Sequence, residues 1–203
     1  MMGKRQKQKE QTRQRIRKTA KSLFTKQGFE ATTSRQIAQQ AGVGLGTLFV
    51  HFAGKQAILA DILYEDVETA VFIAFNTLPT DEPTNVQLRH LASLLYANYL
   101  KQVELSRTLL QFSAFQMAGT AVSPNSSPTD FDTQIATFIH AITDILRQGQ
   151  QKRDVAQHKE ADTMAEAFMA AYFFVLIGLL RSPSPSLEAA LEQLDKLTQT
   201  IIN

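Results

Sequence analysis

Residues 33–52 read Thr-Ser-Arg-Gln-Ile-Ala-Gln-Gln-Ala-Gly-Val-Gly-Leu-Gly-Thr-Leu-Phe-Val-His-Phe, and two short helical patterns meet within them at one glycine. Thr33 is placed to N-cap the first helix, with Gln36 three positions on to close a capping box, and Ile37, Ala38 and Ala41 supply its inward face. Gly42 ends it. The second helix begins near Leu45 and repeats Leu48 and Phe52 one turn apart on its buried side, so Gly46, Thr47, Phe49, Val50 and His51 face outward or lie on the flanks. This spacing predicts a helix-turn-helix whose second helix fits the major groove of DNA. Phe52 reads as core and Phe49 as either core or surface. His51, late in the helix, either bonds phosphate or caps the helix C-terminus; phosphate is favoured because the helix dipole alone gives a modest gain.

Charge along the chain sharpens this reading. The net charge of the 203 residues is only +2. Up to Lys55, however, 12 basic residues stand against Glu10 and Glu30, a net +10, while the remainder holds 9 basic and 17 acidic residues, a net −8. A small nucleic-acid-binding head joined to a body that does not bind nucleic acid has that footprint. We therefore divide the chain into a DNA-binding domain, 1–54, and a body, 55–203.

There is no cysteine, which excludes disulfides and thiolate metal sites and suits a reducing cytosol. Charged and amide side chains dominate up to Gln14, unlike a signal peptide, so a cytoplasmic protein is expected. The longest apolar run, 167–180, has 14 residues, short of the roughly 20 that cross a bilayer, and reads as a buried helix. His51, His90, His140 and His158 are scattered without a metal spacing, and no G-x-S-x-G turn is present, so neither an enzyme nor a metal or cofactor site is expected.

Periodicity and punctuation predict an all-α fold of nine helices. The first, about 5–27, buries Ile16, Ala20, Leu23 and Phe24, closes at Gly28 and carries a basic opposite face. The helix-turn-helix supplies the next two, and a fourth runs from Lys55 to about Phe75, ended by the Pro-containing stretch 77–83. Helices at about 84–101 and 103–118 are rich in aromatics. The segment 119–130 concentrates turn-forming residues and reads as a mobile loop. Helices at about 131–151, 159–181 and 186–202 follow, the last two separated by Ser-Pro-Ser-Pro at 182–185.

With these residues in view, the chain resembles the TetR family of bacterial one-component transcriptional regulators. The succession Ile16, Ala20, Leu23, Phe24, Gly28, Phe29, Ala31, Thr32, Thr33, Ile37, Ala38, Ala41, Gly42, Val43, Gly46, Thr47, Leu48, Phe52, Lys55 and Leu59 is similar to that family's head signature in type and spacing. The similarity is specific over about 13–63 and rests beyond that on helix number, lengths and loop pattern. It implies that Thr33 and Lys55 touch phosphates at helix N-termini and that Gly44, Leu45, Gly46, Thr47, Phe49, Val50 and His51 enter the major groove. Gly44, Leu45 and Phe49 stand where the family often has serine, lysine and tyrosine. Those losses shift the expected phosphate contacts toward Thr47, His51, Arg35 and the basic first helix. Gly44 remains an N-cap, weaker than serine. Val50 can meet a thymine methyl, and Arg35 is the best candidate for a bidentate base contact.

The resemblance also implies a ligand cavity in the body. Tyr96, Tyr99, Arg107, Gln111 and His140 are its candidate polar handles and Phe115, Phe138, Phe168 and Tyr172 its candidate apolar walls, for a lipophilic effector of aromatic or cationic kind. Any one of these aromatics alone reads more simply as core. Homodimerisation is expected through the eighth and ninth helices, with Phe174, Leu176, Leu187 and Leu191 filling the seam and Gly178 permitting close approach. The expected function is a ligand-responsive regulator, a repressor released from a pseudo-palindromic operator. The alternatives are a DNA-binding protein of the same fold without an effector and a helical bundle that sequesters a ligand.

Overall fold

A computed structural model of the chain describes residues 3–119 and 130–203, with the backbone alone over 112–119 and 130–134. The expected loop at 119–130 falls almost wholly outside the described residues. The described residues form nine helices and no strand: α1 (Lys4–Gln27), α2 (Ser34–Gln40), α3 (Leu45–His51), α4 (Lys55–Asn76), α5 (Thr84–Leu100), α6 (Val103–Gly119), α7 (Asp130–Lys152), α8 (Ala161–Arg181) and α9 (Leu187–Ile202). Each expected helix is present, with ends displaced by no more than about two residues.

The chain divides into two compact units, Met1–Asp66 with Glu104–Phe115, and Val67–Val103 with Gln116–Asn203. The first extends beyond residue 54, because Ile58, Leu59, Ile62 and Leu63 of α4 and Leu105 of α6 complete its core. In that core Ile16, Ile37, Leu48, Ile58 and Leu59 are fully buried, and Phe24 and Phe29 pack with ring centroids 5.1 Å apart. The helix-turn-helix is thus packed against three further helices, α1, α4 and α6.

In the second unit α8 packs against α7 and α9, and α5 against α9 and α7. Residues Ala161, Met164, Ala165, Phe168, Met169, Tyr172, Val175, Leu176, Leu179 and Leu180 of α8 are buried. By length and composition α8 is able to cross a membrane, a longer apolar element than the run at 167–180 suggests, and half of its most apolar window is buried within the fold. The start of α5 is tied down from afar. Pro83 gives it no side-chain cap, and Asp154 takes that place, its Oδ2 accepting from Thr84 N at 2.7 Å and its Oδ1 from Thr84 Oγ1 at 3.1 Å. This closeness requires Gly149, where a Cβ would fall 2.2 Å from Thr84 Oγ1 and 2.6 Å from Val155 Cγ2.

Candidate nucleic-acid interface and body cavity

The helix-turn-helix is built from its caps outward. Thr33 Oγ1 accepts from Gln36 N at 3.2 Å while Gln36 Oε1 accepts from Thr33 N at 2.9 Å, so the expected capping box is closed. Gly42 takes a left-handed φ of +65°, which turns the chain and lets Val43 N reach Ala38 O at 3.0 Å. Gly44 is the N-cap of α3 and offers no side chain to its free N–H groups. Leu48 is fully buried and Leu45 packs against the same core. Gly46 and Thr47 are exposed, and Phe49 and Val50 are 50% and 75% exposed, which decides for Phe49 that it is a surface residue. Thr33, the N-cap of α2, and Arg35 in its first turn are exposed. The outward face of α3 is therefore apolar and uncharged apart from the Thr47 hydroxyl.

His51, at the end of α3, is half-buried, and its Nδ1 is enclosed without a hydrogen-bond partner. Burial pushes the imidazole below its usual range, and the nearby charges of Lys9 and Arg13 push the same way against a weaker effect of Glu10. The neutral ring is favoured. Arg13 also places its guanidinium 4.8 Å from the Phe52 ring centroid, which ties this part of α1 to the end of α3.

Lys55 is turned inward. Its Nζ donates to Phe29 O at 2.9 Å and to Glu30 O at 3.3 Å, and lies 4.3 Å from the Phe29 ring centroid. It braces the turn after α1, where the sequence suggested a phosphate contact.

The basic face of α1 is partly neutralised, which a charge count ending at Lys55 cannot show. Arg13 pairs with Asp61, Arg17 with Asp61 at 3.0 Å and with Glu65, and Lys21 with Asp66 at 2.8 Å. Counting Asp61, Glu65 and Asp66 lowers the net charge up to Asp66 to +7. The i, i+4 spacing of Arg13, Arg17 and Lys21, matched by Asp61 and Glu65, was the available signal. Lys4, Arg5, Lys7, Lys9, Arg15, Lys18, Lys26 and Arg35 form no ion pair among the described residues.

In the body, Val67, Val71, Leu95, Tyr99, Ile135, Phe138, Met169, Tyr172 and Phe173 surround a cavity of about 40 Å³. Of the expected ligand residues it gathers Tyr99, Phe138 and Tyr172. Tyr96 and Phe168 are core: Tyr96 stacks on Tyr172 with centroids 4.9 Å apart, and its hydroxyl donates to Tyr172 O at 2.9 Å. Burial pushes both tyrosine hydroxyls well above their ordinary range, and a hydrogen bond with Tyr99 adds to the effect at Tyr172. His140 is exposed, and Arg107 pairs with Glu104 at 2.6 Å within the first unit, to which Gln111 also belongs. These three therefore stand apart from the cavity. The Phe115 side chain lies outside the described residues. Val67 and Val71, which sequence reading missed, are one turn apart on α4 and carried a signal in that spacing.

On the expected dimer seam, Phe174 is 63% exposed and Ile177, which was overlooked, 39%. Gly178 is exposed with open space where a Cβ would stand, and Leu187 is half-buried. Leu176 and Leu191 must be reassigned: both are 4% exposed and belong to the core of their own bundle, where α8 and α9 pack together. A helix apolar on nearly all sides hides which leucines face inward.

Residues 16–62 match the family model described as bacterial regulatory proteins, tetR family. HTH-type transcriptional regulators of Staphylococcus aureus, those of strains USA300 and COL among them, are 30% identical over 103 residues, 50% of this chain and 52% of theirs. The chain thus spans about half the length of the curated relatives it matches. FadR of Thermus thermophilus, a TetR family transcriptional repressor solved in complex with lauroyl-CoA, shares the fold with a TM-score of 0.67 at 21% identity, over 93% of this chain and 92% of its own. Salmonella enterica GusR does so with a TM-score of 0.61 at 22% identity, over 94% and 95% of the two chains. With a capped helix-turn-helix at its centre, the segment 16–62 is a head of the kind described as bacterial regulatory proteins, tetR family.

Proposed function

We propose that the protein is a cytoplasmic transcriptional repressor that binds a pseudo-palindromic DNA operator as a homodimer and leaves it when a lipophilic molecule enters the body. The observation that carries this reading is the presentation of Thr47, Phe49 and Val50 to solvent by a pair of helices packed on the core, the first of them closed by a capping box, with Arg35 exposed beside them. Exposed apolar side chains at the tip of a basic head suit the methyl-lined floor of a major groove. Thr33, Gly44 and His51 flank them at helix ends, where backbone N–H groups or an imidazole meet phosphates. For the dimer, the exposed stripe of Ala170, Phe174, Ile177 and Gly178 on α8 is an apolar surface that a second copy would cover.

The body cavity is lined by apolar and aromatic side chains, Tyr99 and Tyr172 among them, which supports a lipophilic ligand. Its 40 Å³ favours a second reading, a regulator of this fold without an effector, since that space holds little more than water unless side chains move.

Titration of the protein against duplexes selected from random sequence tests the DNA reading. The expected site is pseudo-palindromic, and Thr47→Ala and Arg35→Ala each weaken binding about tenfold or more. Parental affinity in both variants overturns their assignment. Failure of the protein itself to select a duplex overturns the function.

A further inference from the structure

The charges that α3 lacks are supplied by a stretch of α1 that packs on nothing. Residues 4–11 read Lys-Arg-Gln-Lys-Gln-Lys-Glu-Gln and are exposed throughout, without one apolar side chain to bury. Four cations within six residues repel one another, so packing does not explain this part of the helix. Affinity for duplex DNA nevertheless depends on neutralising phosphates. Among the head's cations, Arg13, Arg17 and Lys21 are committed to Asp61, Glu65 and Asp66, and Lys55 to the Phe29 and Glu30 carbonyls.

Geometry selects which free cations face the DNA-reading helix. Arg13 lies over the Phe52 ring at the end of α3, and Lys9, one turn earlier, acts electrostatically on His51. Arg5 continues the same face at i, i+4 spacing, so Lys9 and Arg5 stand about 6 and 12 Å beyond Arg13 along the helix axis. We infer that Arg5 and Lys9 form a rail for the phosphate backbone that carries each head's contact past the major-groove site into flanking DNA.

The rail rests on the DNA-binding function proposed above and is tested separately from it. Binding of the full chain is measured over a range of salt on two duplexes, one ending at the selected site and one extended by about a helical turn on each side. The Arg5→Gln/Lys9→Gln variant is compared with the parent and with Lys101→Gln/Lys196→Gln, an equal loss of charge on exposed residues of the body. The parent is expected to bind the extended duplex at least tenfold more tightly than the short one. The α1 variant loses that advantage, and its plot of log affinity against log salt flattens by about 2 per protomer. Its melting temperature stays at the parental value, because neither side chain is packed. An α1 variant with the parental slope and flank preference overturns the rail, as does an equal flattening in the body control. A parent that selects no duplex overturns instead the function on which the rail rests.

Discussion

Residue by residue, the head departs from an ideal helix-turn-helix at exposed positions of α3 and adheres to it at those that face the core. Gly46 is exposed within α3, and a Cβ there meets nothing within 4 Å. Its flexibility therefore costs helix stability without relieving a clash. Gly46→Ala is expected to stabilise the protein by about 0.5–1 kcal/mol, a rise of about 2 °C in melting temperature on calorimetry. No rise would mean that α3 is not formed in the free protein. His51 supplies a second expectation. Its folded-state pKa is depressed, so the unfolded chain takes up the proton more readily, and the stability it contributes is present above about pH 6.5 and lost as pH falls toward the folded value. Denaturant melts should show His51→Gln with a flatter decline between about pH 7 and 5 than the parent; parallel curves exclude this coupling. The capping box, Gly42 and the Leu48 and Phe52 core were legible because local spacing decides them. The inward turn of Lys55 was not, because its partners Phe29 and Glu30 are 26 and 25 residues away.

At the level of elements, all nine helices could be read from the chain, because their apolar periods and the Gly, Pro and Ser stops agree. What periodicity leaves open is which face of a helix meets which neighbour. Leu176 and Leu191 are core while Ile177, between the buried Leu176 and the exposed Gly178, is not. The α1 and α4 ion pairs and the Asp154 cap on α5 are likewise matters of tertiary placement, 45 to 70 residues apart in sequence. The cap makes a specific case. Gly149→Ala would drive its Cβ into Thr84 Oγ1 and Val155, forcing the start of α5 away from Asp154. The expected cost exceeds about 2 kcal/mol, from overpacking together with a lost cap. Thr84→Ala removes the atom in the way, so the double variant should melt higher than the sum of the two single effects predicts. Strict additivity in that cycle would refute the clash.

For the whole molecule, regulation requires that occupancy of the body and of the DNA be energetically linked. Two recognition helices of a dimer must stand about 34–36 Å apart to enter successive major grooves, so a displacement of a few ångströms spoils the register. α4 is one uninterrupted helix whose residues to Asp66 belong to the first unit and whose Val67 and Val71 line the body cavity. A ligand that enlarges a 40 Å³ cavity has to move such side chains, and we propose that α4, continuous into the first unit, transmits the movement. Linkage makes the effect reciprocal. A ligand that lowers operator affinity loses affinity itself, by the same factor, when operator is saturating, with a coupling of about 1–3 kcal/mol. Lipophilic compounds, aromatic cations among them, are the ones to screen by thermal shift. The expected result is a hit whose dissociation constant rises about 5- to 150-fold in the presence of operator. Val71→Phe, which fills the cavity, should abolish that response while operator affinity stays near the parental value. A ligand bound equally well with and without operator would reduce the body to a dimerisation scaffold.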